Sequence, residues 1–183
     1  MRNWLRPDPV RRRAEELYAA VVAQARRPEF YARLGVPDSL DGRFELIALH
    51  MFLALRRLKA EGEAASGQAL VDRFVQDMDA SLREMGAGDL GVGRRVKAMA
   101  QGLYGRIAAY EEGLAQPDDQ LEAALRRNLY GTAPEPGPAE AVLRVVAAYV
   151  RQESAGPTSG SHGLRFGPPP AAVAAASGTE PGR

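Results

Sequence analysis

Cysteine is absent from all 183 residues of the chain. That removes disulfides, thiolate metal sites, covalent c-type haem attachment and a cysteine nucleophile. It leaves the compartment open, because a reduced cytosolic protein and a disulfide-free secreted one look alike on this point. Lysine is almost absent: Lys59 and Lys97 are the only two among 24 basic residues. With so much alanine and glycine, this composition suggests a GC-rich, bacterial genome, which is a statement about codons and not about function. A net charge of +1 gives no global field that would select nucleic acid or membrane. Long apolar runs are missing too. The longest, within Phe44 to Leu55, is broken by Glu45 and His50 and falls short of the roughly 20 residues that span a bilayer. The start, Met1-Arg-Asn-Trp-Leu-Arg-Pro, has no apolar region to make a signal peptide. These absences lead us to expect a cytoplasmic protein or one peripheral to a membrane.

No segment alternates with a β period and no internal repeat is evident, whereas helical spacing recurs along the chain. Asp8 before Pro9 is a good helix start, an N-cap acceptor followed by a ring-fixed φ. Val10, Ala14, Leu17, Val21 and Ala25 continue it. Pro28 restarts the chain into a short helix through Phe30, Tyr31 and Leu34, closed by Gly35. Asp41 is expected to cap the next helix, which is apolar nearly all round from Phe44 to Leu58 and so belongs at the centre of a bundle. Its arginines Arg56 and Arg57 and Lys59 suit a C-terminal dipole, and Gly62 follows as a stop. Leu70, Phe74, Met78, Leu82 and Met85 mark a further helix. A glycine-rich link, Gly86 to Gly93, precedes the cleanest stripe in the chain: Val92, Val96, Met99, Leu103, Ile107, Tyr110 and Leu114. Pro117 and Asp118 open another helix, and a last one runs from Pro138 to about Gln152. The expectation is an all-α protein, a single globular bundle of about six helices. It divides into a basic segment 1–9, a helical domain 10–152, and a tail 153–183. The tail is rich in Ala, Gly, Pro and Ser, too poor in large apolar groups to offset its ordering entropy, and is read as disordered.

Catalytic patterns are not found. The Gly86–Gly93 link has the spacing of neither a Walker loop nor a dinucleotide fingerprint; a bound anion at the following helix start and a plain inter-helix connection both remain open. His50 is the one histidine of the helical domain and lacks companions at metal-ligand spacing, so it reads as a core residue with one hydrogen bond, against a haem or metal role. His162 lies in the tail. Ser66 and Ser81 have no partner histidine. Asp77, Asp79 and Glu84 read as a solvated face, and Met51, Met78, Met85 and Met99 as core filling. Trp4 and Leu5, among Arg2, Arg6, Arg11, Arg12 and Arg13, are either a membrane contact or a frayed polar terminus.

Several segments together carry a family resemblance: Pro28-Glu-Phe-Tyr31, Gly35-Val-Pro-Asp38, Asp41-Gly-Arg-Phe44, Leu49-His50 and Asp77-Met-Asp79. The most specific is Leu82-Arg-Glu-Met-Gly86 running into Gly88-Asp-Leu-Gly-Val-Gly-Arg-Arg-Val-Lys-Ala-Met99. Tyr104-Gly-Arg106 and Asn128-Leu-Tyr-Gly131 complete the set. Over roughly residues 10–152 the chain resembles the ubiquinol–cytochrome c chaperone family. The resemblance implies an all-helical, non-enzymatic protein without cofactor that helps assemble the cytochrome bc complex. It further implies that the protein receives newly made cytochrome b or other subunits at the cytoplasmic face of the inner membrane, with possible ribosome proximity; eukaryotic relatives would be mitochondrial. It carries over no catalytic residue.

Candidate partner-binding residues are Arg43, Arg83, Asp89, Arg94, Arg95, Lys97 and Arg106; candidate membrane contacts are Trp4, Leu5, Arg6, Arg11, Arg12 and Arg13. Arg94, Arg95 and Lys97 stand out because positive groups near a helix N-terminus gain nothing from its dipole, so a partner is the expected reason for them. The alternative is a ribosome- or RNA-contacting adaptor using the basic helix start at 94–106, against which stand the balanced charge and the lack of a defined RNA-binding motif. The purified protein is expected to carry no stoichiometric metal or haem. Elemental analysis and an absorbance scan check this, and one equivalent per chain, lost on His50→Ala, would overturn the core reading of His50.

Overall fold

The computed structural model describes residues 8–86, 89–158 and 163–171. Among them are seven α-helices and no strand: α1 (Pro9–Ala25), α2 (Pro28–Ala32), α3 (Leu40–Ala60), α4 (Ala64–Glu84), α5 (Asp89–Ala115), α6 (Asp118–Asn128) and α7 (Glu140–Ser154). The Asp8 carboxylate accepts from the Val10 amide at 3.0 Å, so the expected cap of α1 holds. The cap of α3 is instead Ser39, whose hydroxyl accepts from the Gly42 amide at 3.1 Å. Asp41 sits within the first turn, where its charge suits the positive end of the helix. The glycine-rich link is also shorter than its composition suggests, because α5 begins at Asp89 and takes Gly91 and Gly93 into its first turns.

α3 is the axis. It packs against α1, α4, α5 and α7, while α5 bridges α4 and α6. An apolar set on every side of α3 serves two cores. Leu46, Leu49, Phe52 and Leu53 face a cluster with Phe30, Leu121, Leu125, Leu143, Val146 and Val150. Ala48, Met51, Ala54 and Leu58 face a second cluster with Leu17, Val21, Leu70, Phe74 and Leu103. Ile47, Ile107 and Phe166 pack against both.

The described part of the expected tail is ordered against these helices, contrary to its composition. Leu164 is buried, and Phe166 lies between Arg57, whose guanidinium is 5.0 Å from the ring centroid, and His50, 5.0 Å away edge-on. The reason is a buried ion pair that composition cannot reveal. Arg57, 2% exposed, and Glu153, 5% exposed, meet at 2.6 Å. Arg57 also donates to the carbonyls of Glu153 at 2.5 Å, Arg165 at 2.8 Å and Pro157 at 3.4 Å. A Cβ on Gly156 would lie 2.6 Å from the Arg57 Cζ, and one on Gly167 would lie 2.6 Å from the Glu153 carboxylate. Glycine at both positions lets the backbone close over the pair. Farther out, the Thr158 amide donates to Glu61 at 2.7 Å, and Arg13 donates to the Thr158 carbonyl at 3.2 Å. Arg57 is therefore not the dipole-complementing end of α3 that its neighbours suggested; it satisfies the C-terminal end of α7.

Removing one partner of a buried pair strands the other charge. Arg57→Met should cost about 3–5 kcal/mol in urea unfolding, and the Arg57→Met/Glu153→Met double variant should regain much of that loss. A double variant no more stable than the single would show that the cost does not come from an unpaired Glu153. Truncation after Gln152 should lower the calorimetric midpoint by several degrees.

Candidate functional site

A concavity lies where α1 ends and α3 begins. Three local features shape it. Pro28 restarts the helix after α1; Gly35, at φ 68°, closes α2; and Gly42 lets the first turn of α3 seat against the Pro37 carbonyl, where a Cβ would collide. The result is a cleft of about 750 Å³. Ala25, Pro28, Ala32 and Ile47 give it apolar lining, and Arg26, Tyr31, Asp38 and Arg43 give it polar lining. Arg43 donates to Asp38 at 2.8 Å, and this bond raises its pKa further above the usual guanidinium range. The Tyr31 hydroxyl donates to the Ala25 carbonyl at 2.9 Å; partial burial, then Asp38, push it up. Leu40, beside Asp38 and Arg43 in the first turn of α3, is 69% exposed. Three of the segments that carried the family resemblance, around Pro28–Tyr31, Gly35–Asp38 and Asp41–Phe44, thus build one cleft. It can hold an apolar segment while its charged side groups engage polar edges. Among the described residues no group of three or more His, Cys, Asp or Glu side chains could hold a metal ion.

Beneath the cleft, α1, α3, α7 and the chain beyond α7 are joined by a buried polar network. His50 is fully buried, with Nδ1 2.8 Å from the Leu46 carbonyl and Nε2 3.0 Å from the Tyr149 hydroxyl. A carbonyl only accepts, so Nδ1 carries the proton and Nε2 accepts from Tyr149. Gln24 donates to the Tyr149 hydroxyl at 3.0 Å and to the Gly167 carbonyl at 2.8 Å. Phe30, Tyr149 and Phe166 surround the imidazole edge-on. Burial pushes His50 down to about 4, with the nearby Arg57 charge acting the same way and the Leu46 bond opposing it. His50 is a neutral core histidine with two hydrogen bonds, one more than its sequence context suggested.

The basic residues singled out in the sequence separate into two groups. Arg43 lines the cleft, tied to Asp38. Arg83 pairs with Asp79 within α4. Arg106 faces inward, donating to the buried Glu45 at 2.8 and 3.0 Å and lying 5.4 Å over the Phe44 ring; it joins α5 to α3. Arg13 likewise turns in toward Glu63 at 3.2 Å. Arg12 stays exposed, 3.9 Å from Glu16, and Arg11 is exposed beside it. Trp4, Leu5 and Arg6, with Arg2, lie outside the described residues, as does His162. Asp89 is the first residue of α5. Arg94, Arg95 and Lys97 are exposed and make no ion pair among the described residues. The cleft residues Arg26, Tyr31 and Ile47 are not among the candidate contacts read from the sequence, since nothing in their spacing says that three helix ends converge there.

Comparisons with known proteins agree in direction. Residues 32–156 match a family described as ubiquinol-cytochrome C chaperone. The chain is 30% identical over 118 residues to ubiquinol-cytochrome-c reductase complex assembly factor 1 of Xenopus laevis, covering 63% of this chain and 59% of that one. It is 28% identical over 142 residues to the Mus musculus protein of that name, covering 76% and 47%. It is 32% identical over 108 residues to the mitochondrial protein CBP3 of Saccharomyces cerevisiae, covering 56% and 32%. The chain spans about half the length of most of the curated relatives it matches. Among solved structures, the Cbp3 homolog from Brucella abortus superposes with a TM-score of 0.66 at 42% identity over 77% of both chains.

The buried histidine gives a signed prediction. Between pH 6.5 and about 4 the unfolded chain binds a proton at His50 that the folded chain does not. Its stabilising contribution is complete above pH 6.5, shrinks as pH falls, and is gone by about 4. The full span corresponds to roughly 3 kcal/mol. Urea unfolding across this range should show His50→Gln with a shallower acid loss than wild type. Parallel pH profiles for the two proteins would contradict a neutral buried imidazole.

Proposed function

Since the chain belongs to the ubiquinol–cytochrome c chaperone family, we propose that it is a non-enzymatic assembly factor of the cytochrome bc complex. In this reading it holds newly made cytochrome b until further subunits arrive. The observation that carries the assembly-factor class is the family match over residues 32–156, the stretch from the end of α2 through α7. The names of the relatives, assembly factors of the ubiquinol–cytochrome c reductase complex, support the same class. No helix among the described residues is long and apolar enough to cross a membrane, which fits work at the cytoplasmic face of the inner membrane.

The cleft between α1, α2 and α3 suits the task. A client built of apolar helices needs an apolar surface with a polar border, and Ile47, Pro28 and Ala32 beside Arg26, Asp38 and Arg43 supply one. Leu40, in the first turn of α3, leaves a further apolar side chain exposed. Arg43 thereby keeps a place among the partner-contacting residues. Arg106 loses its place, because its charge is committed to Glu45. The second reading, an adaptor at the ribosome or on RNA, draws on the exposed Arg94, Arg95 and Lys97 alone.

Deleting the gene should lower cytochrome b and ubiquinol-dependent cytochrome c reduction, and restoring the full chain should recover both. Normal cytochrome b in the deletion would end the chaperone assignment. Ala32→Trp, a substitution of an exposed side chain that fills the cleft, should leave the unfolding midpoint unchanged while reducing capture of cytochrome b from membranes solubilised in mild detergent. Capture equal to wild type would move the client surface elsewhere.

A further inference from the structure

Many arginines of this protein pair with carboxylates within the chain, including Arg13, Arg43, Arg56, Arg57, Arg73, Arg83, Arg106 and Arg126. The start of α5 gathers three cations outside such pairs. Arg94, Arg95 and Lys97 fall within four residues, all exposed and none ion-paired among the described residues. From Arg94 to Ala108 the sequence contains no Asp or Glu. The buried side of α5 is fixed by Val92, Leu103 and Tyr110. On the opposite side Lys97, Gln101, Tyr104 and Ala108 follow the i, i+4, i+7, i+11 spacing of one helical face, with Arg94 beside them and Arg95 on the flank.

Two of the three large apolar side chains left exposed among the described residues bracket this positive stretch. Met85, at the end of α4, is 57% exposed, and Tyr104, on the same face as Lys97, is 54% exposed. An exposed methionine and an exposed tyrosine on either side of unpaired cations is a surface of mixed character. The cations attract negative charge at long range, while the apolar groups gain only if they leave water. An anionic bilayer offers both at one depth, headgroup phosphates above and acyl chains below, and interfacial protein segments combine basic and apolar side chains for that reason. Single-stranded nucleic acid would call for a charged groove with several stacking aromatics, whereas this is a convex helix end with one tyrosine. A stable protein interface would call for a contiguous apolar centre, whereas Met85 and Tyr104 stand apart at opposite ends of the cations.

We propose that the corner formed by the end of α4 and the outer face of α5 docks the protein on an anionic lipid surface, through Arg94, Arg95 and Lys97 with Met85 and Tyr104 entering the interface. This assigns to α5 the membrane contact that the sequence placed on the N-terminal arginines, one of which, Arg13, is turned inward. The inference stands apart from the client assignment, since it concerns lipid alone.

The test is flotation of the full chain with vesicles of phosphatidylcholine, with and without phosphatidylglycerol. Wild type should float only with the anionic vesicles, and less as salt rises. Arg94→Gln, Arg95→Gln and Lys97→Gln together should lower partitioning by roughly fivefold per cation, on the order of a hundredfold in all. Met85→Ser with Tyr104→Ser should lower it severalfold at constant charge. Arg11→Gln with Arg33→Gln, exposed arginines away from the corner, should leave it near wild type. Circular dichroism of each variant should match wild type, as expected for exposed changes. The proposal is overturned if the triple variant floats like wild type, if the Arg11 and Arg33 control loses as much as the triple variant, or if the serine pair has no effect. It is equally overturned if the triple variant loses binding to a single-stranded RNA while its flotation is unchanged.

Discussion

A guanidinium buried at the side of α3 has to be satisfied, and much of the architecture follows from that requirement. Arg57 cannot be left without partners in an apolar interior. It receives a carboxylate from α7, three backbone carbonyls, and the face of Phe166. Every one of these partners lies at or beyond residue 153, so the chain after the last helix is held by α3 and not by its own composition. The same segment then supplies Gly167 to the Gln24 end of the histidine network and Thr158 to Arg13 and Glu61. One buried cation thus ties both termini of the bundle to its central helix.

That arrangement also positions the candidate client cleft. Its wall is the first turns of α3, and the rest of α3 is clamped along its length by the two cores, by Arg106 on Glu45, and by Arg57 on Glu153. A cleft built on the end of a helix so fixed changes shape little, which favours a prepared surface over one that forms around its client. The α4–α5 corner has looser neighbours: among the described residues its cations make no ion pair, and Met85 and Tyr104 are exposed.

The sequence made the helices legible, because apolar spacing reports which face is buried whatever the distant partner. α5 is the clearest case, with Val92, Leu103 and Tyr110 buried as the stripe requires. Charged residues were less legible. Arg56 and Arg57 are neighbours of one type, yet one is a partly exposed partner of Glu111 and the other is buried on Glu153. Arg13 and Arg106 likewise looked like Arg12 and Arg94. What separates them is a carboxylate tens of residues away, and no local pattern encodes it. The packed chain after residue 152 was hidden for a related reason: it is held by carbonyl oxygens, which every residue type supplies equally, and by the single aromatic ring of Phe166. The cleft was half visible, in that its turn segments were singled out while the meeting of three helix ends was not.

The placement of Arg57's partners bears on how the molecule comes into being. Arg57 is made early, but Glu153, Pro157 and Arg165 lie 96, 100 and 108 residues farther along the chain. While the chain is still being synthesised, α1 to α6 can gather around α3, yet that cation must keep its water, and the interior beside it stays wet. Closure of the core around this cation therefore waits for the chain through residue 165. A nascent copy cut short before residue 153 is a bundle with a hydrated hole beside its central helix, a form suited to recognition by quality-control proteases.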